Sequence, residues 1–150
     1  MDEYFMGLAI EEAKKAYVIG EVPIGAVLVR NGEVVSKAYN LRETEKNATY
    51  HAEILAIEKA CRNLRGWRLT SSTLYVTIEP CPMCAGAILQ SRIDRLVIGA
   101  MDPKAGACGS VVNLLDNQAF NHQTEIVAGV REEEAAQLMK NFFRELRKKK

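Results

Sequence analysis

Apolar and polar positions along this chain follow two periods, and the switches between them mark out the elements. From Glu3 to Ile19, the residues Phe5, Leu8, Ala9, Ala13, Ala16 and Tyr17 recur at helical spacing with Glu and Lys between them. Gly20 then stands where a helix-terminating residue belongs. Ile24–Arg30 and Glu33–Tyr39 are β-rich runs flanking Asn31-Gly32, a strong hairpin signal. Arg42–Thr49 is polar and reads as a loop. Between His51 and Leu64 the apolar set Ile54, Leu55, Ile57 and Leu64 returns to helical spacing. Thr73–Ile78 predicts a strand, and Pro80-Cys81-Pro82 opens a helix running to about Arg92. Arg95–Ala100 predicts another strand, followed by a loop over Asp102–Gly109. Val111–Asn117 predicts a short helix, Glu125–Val130 the last strand and Glu132–Lys150 a long last helix.

About five strands with helices interleaved imply an α/β fold whose sheet is covered on both faces. The hairpin is antiparallel by construction, whereas the later helix crossovers favour parallel pairing, so the sheet is expected to be mixed. No repeat, low-complexity tract or linker interrupts the pattern, which predicts one domain over residues 1–150.

Composition narrows the function classes. With 48% hydrophobic and 26% charged residues over 150 positions, the chain has the make-up of a soluble globular domain. Twenty basic against 19 acidic residues exclude a uniformly basic nucleic-acid wrapper, but leave room for a local patch. Such a patch exists at the end, where Arg144, Arg147, Lys148, Lys149 and Lys150 stand against the single acid Glu145. A solvated helix end would carry the same charges, so the run alone does not establish RNA binding. No apolar run is long enough to span a bilayer, and Met1-Asp2-Glu3 is acidic where a secretory signal is basic. The expectation is a cytoplasmic protein without membrane contact.

The cysteines and histidines are few and unevenly placed: Cys61, Cys81, Cys84 and Cys108, with His51 and His122. In a reducing compartment, a close Cys pair with a distant His points to metal before disulfide. Cys81 and Cys84 are three apart at a helix start, on one face, where unpaired backbone N–H groups favour thiolates. His51, thirty residues upstream, completes a set of two thiolates and one imidazole suited to Zn²⁺. Glu53 lies two residues from His51 and so is badly placed to be a fourth ligand. From the first turn it can still point at the open side of the metal, where a carboxylate would take a proton from metal-bound water. A structural site would instead need a fourth protein ligand from Cys61, Cys108 or His122, none of which has typical spacing. Cys61 reads as a small core residue and Cys108 as a compact loop residue.

The sequence His51-Ala52-Glu53 followed by Pro80-Cys81-Pro82-Met83-Cys84 resembles the signature of the zinc nucleobase deaminases. Further segments make it most similar to the tRNA-specific adenosine deaminase branch: Gly20–Val27, Asn40–Thr44, Trp67-Arg68-Leu69, Thr73–Ala87, Asp102-Pro103-Lys104, Phe120-Asn121-His122 and Phe142-Phe143-Arg144. The resemblance implies a three-layer α/β/α sandwich of the cytidine-deaminase type, with a mixed five-stranded sheet, and usually a homodimer. It implies hydrolytic deamination of adenosine to inosine at the wobble position of a tRNA anticodon, one Zn²⁺ per subunit on His51, Cys81 and Cys84, and Glu53 as the proton carrier. It further implies that Asn40 hydrogen-bonds the flipped nucleotide. Pro23, Gly25, Asp102, Lys104, Asn121, His122, Phe143 and Arg144 match positions near the anticodon loop. Tyr50, directly before His51, departs from the small residue common in relatives, which bears on the rim of the pocket. Two rivals stay open: a deaminase of a free base or nucleotide, and a non-catalytic zinc-stapled RNA-binding module.

Overall fold

The computed structural model describes residues 1–149. Its elements run α1 (Asp2–Val18), β1 (Gly25–Arg30), β2 (Glu33–Tyr39), α2 (Ala52–Leu64), β3 (Ser72–Ile78), α3 (Pro82–Gln90), β4 (Arg95–Ala100), β5 (Glu125–Ala128) and α4 (Glu132–Lys148). Lys150, the last residue of the predicted helix and basic run, lies outside the described residues. The strand order is β2-β1-β3-β4-β5. β1 is antiparallel to both β2 and β3, while β4 is parallel to β3 and to β5, giving the expected mixed sheet.

The hairpin forms where Asn31-Gly32 predicts it. Arg30 pairs with Glu33, and both turn residues sit in the left-handed region, at φ 53° and 76°. Strand alternation then sorts the core into two layers. Leu28, Leu74, Val76, Leu96 and Ile98 pack under α2 and α3 with Leu55, Ile57 and Ile88. Val27, Val29, Tyr75 and Val97 point the other way, onto Phe5, Met6 and Ile10 of α1. α4 joins that second face through Leu138, and its Ala135 packs with Ile78 and Ala100 in a smaller cluster. Helices therefore cover both faces, and each fully buried Leu or Ile contributes about 1.5–3 kcal/mol.

α1 is also tied to the sheet electrostatically. The Asp2 carboxylate accepts two hydrogen bonds from Arg95, at 2.9 and 2.6 Å, and one from the Tyr75 hydroxyl at 2.7 Å. The Arg95 bond is the main reason its pKa falls to about 2.

The predicted helix over Val111–Asn117 does not form. The segment turns back on the preceding loop instead: Gly109 N–H donates to Val112 O, and Leu114 N–H to Ala107 O, both at 2.9 Å. Asn113 accepts the amide of Leu115 on its own side chain at 3.1 Å, and Asn117 does the same for Ala119. Side-chain acceptors of this kind compete with helical pairing, and here they win.

β2 is an edge strand, and α2 reaches over it. Lys59 Nζ donates to Lys37 O at 2.9 Å, and Asn63 Nδ2 to Val35 O at 2.8 Å. At the other end of the layer, the N-termini of α2 and α3 meet beside the C-terminal end of β3. That corner holds the candidate site.

Candidate metal centre and its rim

His51 is the N-cap residue of α2 and Cys81 the N-cap residue of α3. Both have extended backbones, and neither spends its side chain capping its own helix. The two side chains can therefore turn toward the same space. Cys84, one turn into α3, joins them from a buried position. His51 Nδ1 lies 3.7 Å from Cys81 Sγ and 3.6 Å from Cys84 Sγ. The three donor atoms all fall within 4.8 Å of one another, close enough to converge on a single ion. Among the described residues no other His, Cys, Asp or Glu group clusters in this way. Cys61 packs half-buried against the core and Cys108 is buried in the loop after β4, so neither belongs to the donor group.

The electrostatics of the trio suit a cation. The Cys84 thiol hydrogen-bonds to Cys81 and, with the imidazole of His51 beside it, brings the Cys81 thiol down to about 4. Cys84 is pushed up in turn by that bond to Cys81, by burial and by the Glu53 charge. Cys81 thus favours its thiolate form, and a metal bound by both sulfurs would displace the proton of Cys84. The bond to Cys81 also raises the imidazole of His51, against the opposing cost of burial. Soft thiolates with one imidazole are the donor chemistry of a tetrahedral zinc site with a position left open. Glu53, in the first turn of α2, is 4% exposed, and burial pushes its carboxyl up to about 7. A carboxyl poised near neutrality beside an open ligand position is suited to carry protons.

A family model for MafB19-like deaminases matches residues 1–147. The tRNA-specific adenosine deaminase of Bacillus subtilis is 59% identical over 149 residues, covering 99% of this chain and 92% of the relative. The chain belongs to this deaminase family. A solved structure from a study of A-to-I editing by tRNA:A34 deaminases superposes at a TM-score of 0.87 with 44% identity, covering 90% of this chain and 98% of the other. A guanine deaminase from Nitrosomonas europaea superposes at 0.82 with 21% identity, covering 93% and 83%, and shows the shared fold alone.

In this deaminase the rim residues divide into two groups. Asn40 lines a cavity of about 100 Å³ together with His51, Val22, Ile24 and Arg42. Its side chain is already held there, donating to Val22 O and accepting from Arg42 N–H, each at 3.2 Å. Pro23 is buried just before β1. Gly25 packs against α1, where an added Cβ would stand 2.0 Å from Ala9 O, so its missing side chain serves packing. Asp102, Lys104 and Phe143 line a groove of about 780 Å³ between the loop after β4 and α4. Arg144 stands exposed beside it with Lys140 and Arg147. All of these lie near the ends of β3 and β4 from which Cys81 follows.

Asn121 and His122 do not join them. They line a separate pocket with Gly86, Gln90 and Arg92, next to the C-terminal half of α3 and the start of β4. His122 Nε2 lies 2.8 Å from Ile93 O, which anchors the loop before β5. Tyr50 closes the base of the loop before α2, its carbonyl accepting from Leu41 N–H at 3.0 Å.

Sequence reasoning passed over two acids that shape the rim. Glu21, 1% exposed, accepts the amides of Glu43 and Thr44 at 3.2 and 2.6 Å. Glu79, 4% exposed, directly follows β3 and bonds to the loop after β4. For Glu79 the available signal was an acid directly after an apolar strand. Such a carboxylate is buried, and a buried carboxylate needs donors.

Proposed function

We propose that this deaminase converts adenosine to inosine at the wobble position of a tRNA anticodon, with one zinc ion held by His51, Cys81 and Cys84. The observation that carries the reading is the convergence of those three donors on one point with a buried, non-ligating Glu53 alongside. Zinc bound there would lower the pKa of a coordinated water to about 7 and so make it a nucleophile at neutral pH.

Glu53 is the proton carrier in this scheme. Its carboxylate takes a proton from the attacking water and delivers it to N1 of the adenine ring. With the water oxygen bonded to C6, it takes the proton of that new hydroxyl and passes it to the exocyclic nitrogen; the C6–N bond breaks as the C6 carbonyl forms, so that water is consumed and ammonia released. Asn40, beside His51, fits a role in orienting the flipped nucleotide. Pro23 and Gly25 shape the wall beside it. Asp102, Lys104, Phe143 and Arg144 would meet the flanking anticodon-loop nucleotides through phosphate contacts and stacking.

The reading includes a homodimer in the cytoplasm. Support for self-association comes from the outer face of α3 and its neighbouring loops, where Met83, Val111, Val112 and Phe120 stay exposed. Asn121 and His122 lie on that same side. Among the described residues no helix is long and apolar enough to cross a membrane.

The test is incubation of the zinc-loaded protein with anticodon stem-loops bearing a wobble adenosine, followed by nucleoside analysis. Inosine is the expected product. Absence of inosine across a panel of stem-loops, with turnover of a free base or nucleoside instead, would transfer the chain to the small-substrate reading.

A further inference from the structure

Glu79 sits between the last residue of β3 and Pro80-Cys81, and its carboxylate is bonded to Asp102, Cys108 and Ser110. It gathers the loop that follows β4. Asp102 N–H donates to one oxygen at 2.8 Å, and the Ser110 hydroxyl donates to the same oxygen. Cys108 N–H and Ser110 N–H donate to the other, each at 3.0 Å. Ala107 N–H adds a bond to Pro80 O at 2.9 Å, so the loop is held by two successive residues. Gly106 passes so close that a Cβ there would stand 2.1 Å from the Glu79 carboxyl carbon.

All four groups bonded to Glu79 are donors, and no salt bridge links Glu79 to a Lys, Arg or His side chain among the described residues. A carboxylate satisfies four donors, whereas an amide offers one oxygen and brings two hydrogens of its own. The pocket is therefore built for the ionised acid and for no near-isostere. Between the first and last bonded residues, the loop carries Pro103 and Lys104, which line the groove facing Phe143 and Arg147. Asp102 tightens the same turn by accepting Lys104 N–H at 3.0 Å.

We propose that Glu79 is a positioning residue for substrate binding: its carboxylate latches the loop 102–110 to the strand that delivers Cys81, and so fixes Lys104 against the bound RNA. The inference rests on the functional reading above. Glu79 touches neither substrate nor metal in this role. It converts the rigid end of β3 into a fixed position for a loop that has no regular structure of its own.

Glu79→Gln in the full zinc-loaded protein is expected to raise KM for the stem-loop about tenfold, as loss of charge-assisted bonds implies. Zinc content and kcat stay close to those of the wild type. Lys104→Ala raises KM in the wild type and adds little in the Glu79→Gln background, because the lysine is already out of place. An unchanged KM in soluble, zinc-loaded Glu79→Gln overturns the proposal, as does a full Lys104→Ala effect on top of it. Should Glu79→Gln fail to fold, Ser110→Ala removes one donor and decides the matter by a smaller KM rise, an unchanged KM counting against the latch. If the wild type makes no inosine from any stem-loop, the functional reading falls and the latch is judged separately by amide hydrogen exchange. Faster exchange at Asp102 and Cys108 in either variant supports it, and unaltered protection overturns it.

Discussion

The floor of the pocket and its rim are built on opposite principles. The floor is two helix N-termini, with His51 and Cys81 as N-cap residues and Glu53 and Cys84 one step inside. Each half is a contiguous motif whose geometry follows from helical spacing. The rim is two loops without regular structure and a helix end, held by bonds such as Glu21 to Thr44 and Glu79 to Ser110. The contrast separates chemistry from recognition. Groups that would hold a metal and move protons are preset by local backbone, whereas groups that would meet RNA depend on distant acids for their place.

The sharpest test of that division is on the floor. Cys84→Ser is expected to abolish zinc binding and turnover together, read by metal analysis and inosine yield, because three protein donors leave none to spare. Glu53→Gln is expected to cut kcat by about 10²–10⁴ while zinc content and stem-loop binding stay intact. A large rise in KM with kcat preserved would erase the distinction, since it would place Glu53 in recognition.

On the rim, effects should be smaller and fall on binding. Glu21→Gln strips the loop of Glu43 and Thr44 of a charged acceptor, with KM expected to rise several-fold and zinc unaffected. Arg144→Ala is expected to weaken stem-loop binding modestly and reduce the salt dependence of log Kd by about one unit, if Arg144 neutralises one phosphate.

The smallest effect belongs to neither region. Asp2, paired with Arg95, titrates near 2 instead of 3.8, so its contribution is complete above about pH 4 and drains away as pH falls through 2. Asp2→Asn should therefore cost about 1–2 kcal/mol near neutrality and progressively less in acid, read from urea midpoints at pH 6 and pH 3. KM and zinc content should not move. A change in either would couple α1 to the pocket.

What could be read from the sequence follows the same line. The clustering of His51, Cys81 and Cys84, the burial of Glu53 beside them, the Asn31-Gly32 turn and the strand order were legible because each rests on patterns of a few residues. The direction of Cys81 toward His51 needed only the N-cap position to be right. Residues whose surroundings depend on distant partners were less legible. Gly25 matches a position near RNA, yet its bare Cα makes room for Ala9. His122 matches the same set, and the fold places it beside Ile93 in a pocket that none of the metal donors lines. Val111–Asn117 has helical spacing, but Asn113 and Asn117 draw neighbouring amides to their side chains. Glu21 and Glu79 stood inside quoted motifs, and only their donors, 22 to 31 residues away, revealed their work.

The reach of Lys59 and Asn63 over β2 has a consequence for the molecule among its neighbours. Their bonds occupy carbonyls on an edge that would otherwise template another strand. A ribbon of foreign chain seeking to extend the sheet there meets a lysine and an amide already in place. Two side chains thus do for this seven-residue edge what a further strand would do, closing part of it to pairing with another copy.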